Sequence, residues 1–265
     1  MAHFGLLTNP SNELLSEIRN ILFLGFEYVE VAIEGPEGSP QVLIDKCNEI
    51  ARLLDKFELK PIGHTVPWVD LGSDYEYIRQ AWILEAMSNI KVCKRVGIDL
   101  VNFHSNLNSG MFKGEKRQRL LENWIKSLRE IVRYADYYGV RIMLENVPLS
   151  KGVHKPEEFK YIVDNVDGLL VHLDVPHAFT SAGMDGIMRY IHYFKDRIAH
   201  IHWHDNNGIR DEHLPIGRGL IDHELIVKEL KSINYNGTIT LEVFTNNTDA
   251  NASAELLRKL WSEIR

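Results

Sequence analysis

Short apolar runs alternate with amphipathic segments along the whole chain. Strand-like runs are predicted at residues 3–8, 28–33, 60–66, 99–105, 140–147, 168–175, 197–204 and 237–244. The segments between them have the spacing of helices. The first helix, within residues 11–25, is predicted to begin at a Ser cap and to stop at Gly25, and a longer one is predicted to end at Gly139. The pattern therefore predicts alternating strand–helix units.

Eight such units in a chain of 265 residues predict an α/β fold, a (β/α)8 TIM barrel in which residues 1–265 form a single domain. A doubly wound open sheet is the alternative. The barrel is favoured because the strands end in polar residues from the third strand onward, whereas an open sheet gathers functional groups at one switch point. The polar strand ends are His64, His104, Glu145, Asp174, His202 and Glu242.

Side chains alternate across a strand, so the sequence also predicts which of them face the barrel interior. Positions 200, 202 and 204 are all histidines on one face, opposite Ile201 and Trp203. By the same rule, Glu30, Asn102 and His104 lie opposite apolar neighbours. The apolar faces are expected against the outer helices, and the polar faces are expected in the lumen.

Four of the strand-end groups make up a ligand set that divalent metal ions prefer. Glu145, Asp174, His202 and Glu242 come from four consecutive strands, so barrel closure alone would bring them together. Three carboxylates and one imidazole suit Mn²⁺, Co²⁺, Mg²⁺ or Zn²⁺, and the sequence does not choose among these ions. Taken singly, each of these residues can instead form an ordinary ion pair or be a histidine of the core. For all four residues, this alternative would require several coincidences at the same position of the fold.

A second set of candidate ligands surrounds these four. His64 and His104 end the third and fourth strands, His177 lies just past the sixth, and Asp211 and His213 lie in the loop after the seventh. These five residues can bind further metal ions, bind substrate oxygens or orient the first four ligands.

Composition narrows the class of protein. The formal net charge of −7 counts against nucleic acid as a partner, although a local basic patch is left open. The two cysteines, Cys47 and Cys93, are expected to be buried thiols because they form no CxxC pair. No segment has the pattern of a signal peptide or a membrane span, so a cytoplasmic protein with no membrane partner is expected.

The order and spacing of five short motifs resemble the xylose isomerase-like TIM-barrel superfamily over essentially the whole chain. The motifs are LEN at 144–146, HLDVPHA at 172–178, HIHWHDN at 200–206, DEHLPIGRGLID at 211–222 and YNGTITLEV at 235–243. The metal ligands that the resemblance implies are Glu145, Asp174, His202 and Glu242. It also implies substrate contacts by His177 and Arg210, and it aligns Glu30 with a lumen-facing acid that is a further candidate for substrate binding.

Two glutamates beside one metal ion predict an isomerase or epimerase acting on a small sugar or sugar phosphate. Glu145 and Glu242 would be catalytic, one removing the proton alpha to a carbonyl and the other returning a proton to the enediolate. The GRG sequence at 217–219 is interpreted as a turn rather than a phosphate cradle, so phosphorylation of the substrate is left open. Relatives of this architecture are often dimers or tetramers, which makes a homo-oligomer an open expectation.

The same superfamily contains endonuclease IV, and the alternative function is a zinc phosphodiester hydrolase acting on abasic DNA. That branch binds three Zn²⁺ with nine ligands, and this chain has a candidate for each one. The nine are His64, His104, Glu145, Asp174, His177, His202, Asp211, His213 and Glu242. The flanking sequences HTVPWVDLG and HWHDN depart from that branch, so the isomerase is the first prediction. A non-enzymatic sugar- or metal-binding barrel is a third hypothesis.

Overall fold

Eight parallel strands close into a barrel in the computed structural model, which describes residues 2–106, 112–148 and 155–264. Each strand is hydrogen-bonded to the next one in sequence, and the eighth is hydrogen-bonded to the first. This closure excludes the open sheet and confirms the predicted (β/α)8 barrel. The strands are β1 (His3–Leu7), β2 (Tyr28–Ile33), β3 (Ile62–Thr65), β4 (Leu100–His104), β5 (Arg141–Glu145), β6 (Leu170–Asp174), β7 (Ile198–Trp203) and β8 (Thr238–Leu241).

Helices join the strands and cover the outside of the barrel. In the described ranges they are α1 (Leu14–Phe23), α2 (Pro40–Asp45), α3 (Cys47–Leu54), α4 (Glu76–Arg95), α5 (Gly114–Tyr138), α6 (Pro156–Asp164), α7 (Val175–Phe194), α8 (His223–Ser232) and α9 (Asn247–Glu263). The long helix α5 ends as predicted, because Gly139 adopts the left-handed conformation with φ of 63°. None of these helices combines the length and the apolar character that crossing a bilayer requires.

Most strands are one to four residues shorter than predicted, and two boundaries differ for a reason that the structure shows. The Ser cap expected for α1 is wrong, because the helix begins after Glu13, whose carboxylate accepts a hydrogen bond from the backbone N–H of Ser16. The strand predicted at 168–175 ends at Asp174, and α7 follows at once. Asp174 caps α7 by accepting a hydrogen bond of 2.6 Å from the backbone N–H of His177. One short segment therefore presents both side chains at the same end of the barrel.

The barrel interior has an apolar end and a polar end. Tyr28, Ile62, Leu100 and Met143 form a small apolar cluster, separate from the main core that lies between strands and helices. Each of these four strands carries a polar residue two positions later, on the same face. These polar residues are Glu30, His64, Asn102 and Glu145. The apolar cluster fills the N-terminal end of the interior, so the polar groups lie toward the C-terminal end, where barrels of this kind carry their chemistry.

Candidate metal centre

The four predicted ligands converge at the C-terminal end of the barrel. Asp174 and His202 are paired Cα neighbours on β6 and β7, and the Asp174 Oδ2 to His202 Nδ1 distance is 3.8 Å. Glu242 follows β8 and places Oε1 3.2 Å from the same Nδ1 atom. Glu145 ends β5 and, with His177, puts ligand atoms within 4.8 Å of those of Asp174.

The donor atoms of this group fit a bound cation. Asp174 Oδ2 and His202 Nδ1 are both buried, and neither has a hydrogen-bond partner. The opposite ring nitrogen of His202, Nε2, lies 2.9 Å from Oε2 of Glu30, a carboxylate that accepts a hydrogen bond when ionised. Nε2 therefore carries a proton, and Nδ1 is the atom left to bind a metal ion. An imidazole held by a carboxylate in this way is the usual arrangement of a metal-binding histidine.

Glu145 is held firmly by its neighbours. Asn102 Nδ2 donates a hydrogen bond of 2.6 Å to Glu145 Oε2, and the Asn102 amide is oriented because its Oδ1 accepts from the backbone N–H of Thr65. His104 Nε2 and His64 Nε2 lie 3.1 and 3.8 Å from the same carboxylate oxygen. Glu145, His64 and His104 together form a second group that can hold a cation.

A third group is centred on Asp211. His177 Nε2 and His213 Nε2 lie 3.0 and 3.1 Å from Asp211 Oδ2. Each imidazole donates from Nδ1 to a backbone carbonyl, that of Asn146 for His177 and that of Glu242 for His213. The structure thus brings all nine residues of the two predicted ligand sets to one end of the barrel.

Burial and neighbouring charges shift the titration of these groups in opposite directions. Burial raises the pKa of Glu145 well above its ordinary value, even though His202 and His177 oppose the shift. Burial also tends to raise the pKa of Glu242, but the neighbouring His202 outweighs this effect, and the pKa of Glu242 is lowered. Burial lowers the pKa of His177, yet Asp174 and Asp211 outweigh it and raise the value to about 10. Without a metal ion, protons therefore occupy several of the ligand atoms.

A cavity of about 690 Å³ opens above the three groups. Its polar lining includes His64, His104, Glu145, His177, Asp211, His213 and Glu242. Apolar walls are supplied by Leu7, Ala32, Val147, Ile209 and Phe244, among others. The size is that of a pocket for a small molecule.

The predicted substrate-binding residues occupy different positions. His177 lines the cavity, and so does Arg210, whose side chain is 79% exposed and lies 3.6 Å from Glu212. Glu30 does not line it. Its carboxylate is fully buried beneath the cavity between His200 and His202, so it contacts these two histidines rather than the cavity.

The GRG segment is a turn, as predicted. The backbone N–H groups of Gly217 and Gly219 donate hydrogen bonds of 2.9 and 2.8 Å to Oδ2 of Asp205. Because a side chain of the protein already occupies these two donors, they are not free to bind a phosphate group.

Three buried histidines of the site were not predicted as site residues. His172 Nδ1 lies 3.4 Å from Glu145 Oε2, His200 Nε2 lies 3.0 Å from Glu30, and His204 Nε2 lies 3.1 Å from Asp211. The signal was present in the alternation: His172 precedes Asp174 by two residues, and the other two flank His202 at the same spacing.

Sequence comparisons find proteins that are similar to this chain over most of its length. The family model described as xylose isomerase-like TIM barrel matches residues 18–260. The uncharacterized protein MJ1311 of Methanocaldococcus jannaschii is 30% identical over 253 residues, which are 93% of this chain and 84% of that protein. A probable endonuclease 4 of Aquifex aeolicus is 26% identical over 283 residues and 98% of both chains.

Solved structures share the whole barrel. A D-tagatose 3-epimerase-like protein superposes with a TM-score of 0.85 at 28% identity, covering 98% of this chain and 97% of the other. The IOLI protein, solved with a bound zinc atom, has a TM-score of 0.81 at 18% identity over 99% of both chains, which shows a shared fold.

Proposed function

Because the chain belongs to the xylose isomerase-like TIM-barrel family, we propose that it is a divalent-metal-dependent isomerase or epimerase of a small sugar or sugar phosphate. The observation that carries this proposal is that Glu145 and Glu242 line one small cavity on either side of Asp174 and His202. Two carboxylates that face the same cavity can exchange protons with one bound substrate.

The ion would be held by Glu145, Asp174, His202 and Glu242. When bound, a divalent cation polarises a carbonyl and stabilises negative charge that develops on its oxygen. One glutamate removes the proton from the carbon alpha to the carbonyl, and the other returns a proton. His177 lines the same cavity, where its ring would contact the substrate. The apolar walls keep water from the reacting carbon.

The set of three carboxylates and one imidazole accepts Mn²⁺, Co²⁺, Mg²⁺ or Zn²⁺. The zinc-bound neighbour supports zinc, and the epimerase-like neighbour supports the reaction class. The cavity volume of about 690 Å³ supports a substrate of sugar size.

Exchange of substrate hydrogen with D₂O tests the proposal directly. The metal-loaded protein should exchange the hydrogen alpha to the carbonyl of at least one member of a panel of ketoses and ketose phosphates. Glu145→Gln and Glu242→Gln should each lower the exchange rate by about a hundredfold or more. Glu224→Gln, an exposed carboxylate of α8, is the matched control and should leave the rate unchanged. Absence of exchange over the whole panel would overturn the proposal.

One observation favours a second candidate, a phosphodiester hydrolase of the endonuclease IV type. All nine residues expected of that branch converge, and His64, His104 and Glu145 form a cation group apart from Asp174 and His202. The nine contain four carboxylates. One divalent ion would leave a formal charge of about −2, and three would give about +2, which attracts phosphate oxyanions.

Metal content and nucleic-acid cleavage separate the two candidates. Three Zn²⁺ retained per chain, together with incision of a duplex that carries an abasic-site analogue, would favour the hydrolase. Isotope exchange without incision would favour the isomerase. The same Glu145→Gln and Glu242→Gln variants serve in both assays, because both mechanisms need these two ligands.

A further inference from the structure

Glu34 follows β2 directly and is an acidic residue of the cavity wall that belongs to none of the three ligand groups. Side chains alternate along the strand, so Tyr28, Glu30, Ala32 and Glu34 form one column that faces the lumen. Tyr28 lies in the apolar cluster, and Glu30 is buried beneath the cavity. Ala32 and Glu34 both line the cavity. The column therefore brings Glu34 to the cavity wall.

Glu34 differs from the other acids of the cavity wall because no basic group accompanies it. Glu145, Asp211 and Glu242 each have an imidazole nitrogen close to a carboxylate oxygen, at 3.1, 3.0 and 3.2 Å. Among the residues that the structure describes, none donates a hydrogen bond to the Glu34 carboxylate or forms an ion pair with it. The side chain is partly buried, and this burial raises the pKa of its carboxyl. A ligand that donates hydrogen bonds would offset this cost of desolvation.

The turn after β2 holds Glu34 in place. The backbone N–H of Gly38 donates a hydrogen bond of 2.9 Å to the carbonyl of Glu34, and that of Glu37 donates to the carbonyl of Pro10 at 3.0 Å. Gly38 is packed so closely that a Cβ atom there would lie 2.0 Å from the carbonyl oxygen of Ala32. Pro10 itself lines the cavity. The turn is therefore fixed to the cavity wall and presents Glu34 at a defined place.

Glu34 lies further toward the mouth of the barrel than the metal centre. Ala32 is the paired Cα neighbour of His64, whose Nε2 atom lies 3.8 Å from Glu145. Glu34 comes two residues later, and two residues of extended chain rise about 6–7 Å. A small sugar whose carbonyl lies at the centre can therefore reach Glu34 with the hydroxyl groups at its other end.

On the basis of the proposed function, we infer that Glu34 is a specificity-determining residue that accepts hydrogen bonds from free hydroxyl groups at the end of the substrate remote from its carbonyl. An ionised carboxylate has two acceptor oxygens and no hydrogen to donate, so it suits the donors of a polyol chain. The same charge repels a phosphate ester, which carries about −1.5 to −2 at pH 7. Glu34 therefore favours an unphosphorylated sugar over its phosphate.

Two other polar features of this end of the barrel do not reverse that preference. Arg210 is 79% exposed at the side chain, and its Nε atom lies 3.6 Å from Glu212 rather than beside Glu34. The N–H groups of Gly217 and Gly219 already donate to Asp205. Neither feature offers a phosphate ester a site that would outweigh Glu34.

Isotope exchange with paired substrates tests the role of Glu34. The metal-loaded protein is assayed with a panel of ketohexoses and their 6-phosphates. Glu34→Gln keeps the shape of the side chain but loses its charge, and it should raise KM for the free ketohexose by about ten- to a hundredfold. The loss should lie in KM rather than in kcat, because Glu34 contacts a part of the substrate that does not react. The preference for the free sugar over its 6-phosphate should fall by about tenfold or more.

Two further variants sharpen this test. Glu34→Asp keeps the charge and should retain the preference against the 6-phosphate, although the shorter side chain weakens binding. Glu58→Gln, an exposed carboxylate outside the cavity, is the matched control and should change neither KM nor the preference. An unchanged KM or an unchanged preference in a folded Glu34→Gln protein would overturn the inference. If that variant does not fold by circular dichroism, a preference of the unaltered protein for the 6-phosphates overturns it.

Binding of hexitols separates this inference from the proposed function, because a hexitol has hydroxyl groups but no carbonyl that could react. Calorimetry should show that a hexitol binds the metal-loaded protein, and that Glu34→Gln weakens this binding by about tenfold or more. That result without isotope exchange in any ketose would overturn the proposed function alone. Equal hexitol affinity in Glu34→Gln and the unaltered protein, or no hexitol binding to the unaltered protein, would overturn the inference alone.

Discussion

The carboxylate of Glu30 accepts a hydrogen bond of 2.9 Å from Nε2 of His202, in a part of the barrel with no exposure to solvent. The same oxygen accepts a second bond from His200 at 3.0 Å. Although burial raises the pKa of Glu30, His202 and His200 hold it well below its ordinary value, so the carboxylate is ionised. Glu30 therefore fixes the ring of His202 with Nδ1 toward Asp174 and Glu242.

Glu30→Gln should weaken metal binding at the centre, although the substitution replaces none of its four ligands. The amide keeps the shape of the side chain but loses the charge that orients His202, and such losses typically cost about 10- to 100-fold in metal affinity. Competition with a chromophoric chelator measures the change. Glu49→Gln, an exposed carboxylate of α3, is the control and should have no effect. Unchanged affinity in Glu30→Gln would show that His202 is oriented without Glu30.

Much of this arrangement could be predicted from alternation along the strands. Glu30, Asn102 and His202 each follow an apolar residue of the opposite face, so their entry into the lumen required only the two-residue period of a strand. Convergence of the strand ends required only barrel closure, which the eight strand–helix units predicted.

Loop geometry could not be predicted in the same way. The contact of His204 with Asp211 depends on how the chain between them turns, and an isolated pairing of Asp205 with Leu214 sets that turn. Likewise, no spacing rule places the Asp205 carboxylate under the N–H groups of Gly217 and Gly219. The resemblance made Glu30 a candidate for substrate binding, and its sequence position did not distinguish a lumen-facing acid at a strand's middle from one at its mouth.

Metal binding should release protons. In the metal-free protein, burial lowers the pKa of His202, but Glu242 and Glu30 outweigh it and raise the pKa well above its ordinary value. The pKa of His177 is raised to about 10, so both rings are protonated at pH 7. A metal ion must displace a proton from each, and affinity therefore rises with pH. Calorimetry in buffers of different ionisation enthalpy should give at least two protons released per chain when His202 and His177 both bind metal, because Glu145, whose pKa is also raised by burial, loses a proton as well.

The matched variant for this prediction is His202→Asn, which lacks one protonated ligand and should release fewer protons per chain on metal loading. A release close to zero in the unaltered protein would contradict the protonated state of His177 and His202.

Asp205 should stabilise the loop between β7 and α8. Its Oδ2 accepts from Gly217, from Gly219 and from His223 Nε2, the last at 3.0 Å. Asp205→Asn replaces an acceptor by a donor that faces these N–H groups, and the loss of charge-assisted bonds should cost about 2–4 kcal/mol. Urea unfolding followed by circular dichroism measures the change, with Asp196→Asn, an exposed aspartate, as the control.

The stability due to Asp205 should also depend on pH. Burial tends to raise its pKa, but His223 and the backbone N–H of Gly219 outweigh this, and the folded-state value lies below the ordinary one. A lowered folded-state pKa gives stability that is present above the unfolded-state value of about 3.9 and is lost as pH falls through the folded-state value. The difference between the unaltered protein and Asp205→Asn should therefore be constant from about pH 5 upward and shrink in stronger acid. A difference that grows in acid would contradict this account.

Gly5 should be intolerant of a side chain because it packs on the aromatic ring of Tyr28 at the apolar end of the lumen. A Cβ atom there would lie 2.4 Å from ring carbons, and the ring cannot retreat easily because its hydroxyl is hydrogen-bonded to Thr240 Oγ1 at 2.9 Å. Gly5→Ala should lower the free energy of unfolding by about 1–3 kcal/mol. In a Tyr28→Leu background the ring is gone, so the same substitution should cost less, and urea unfolding of the four proteins measures this coupling. Equal costs in both backgrounds would show that Tyr28 is not the obstacle.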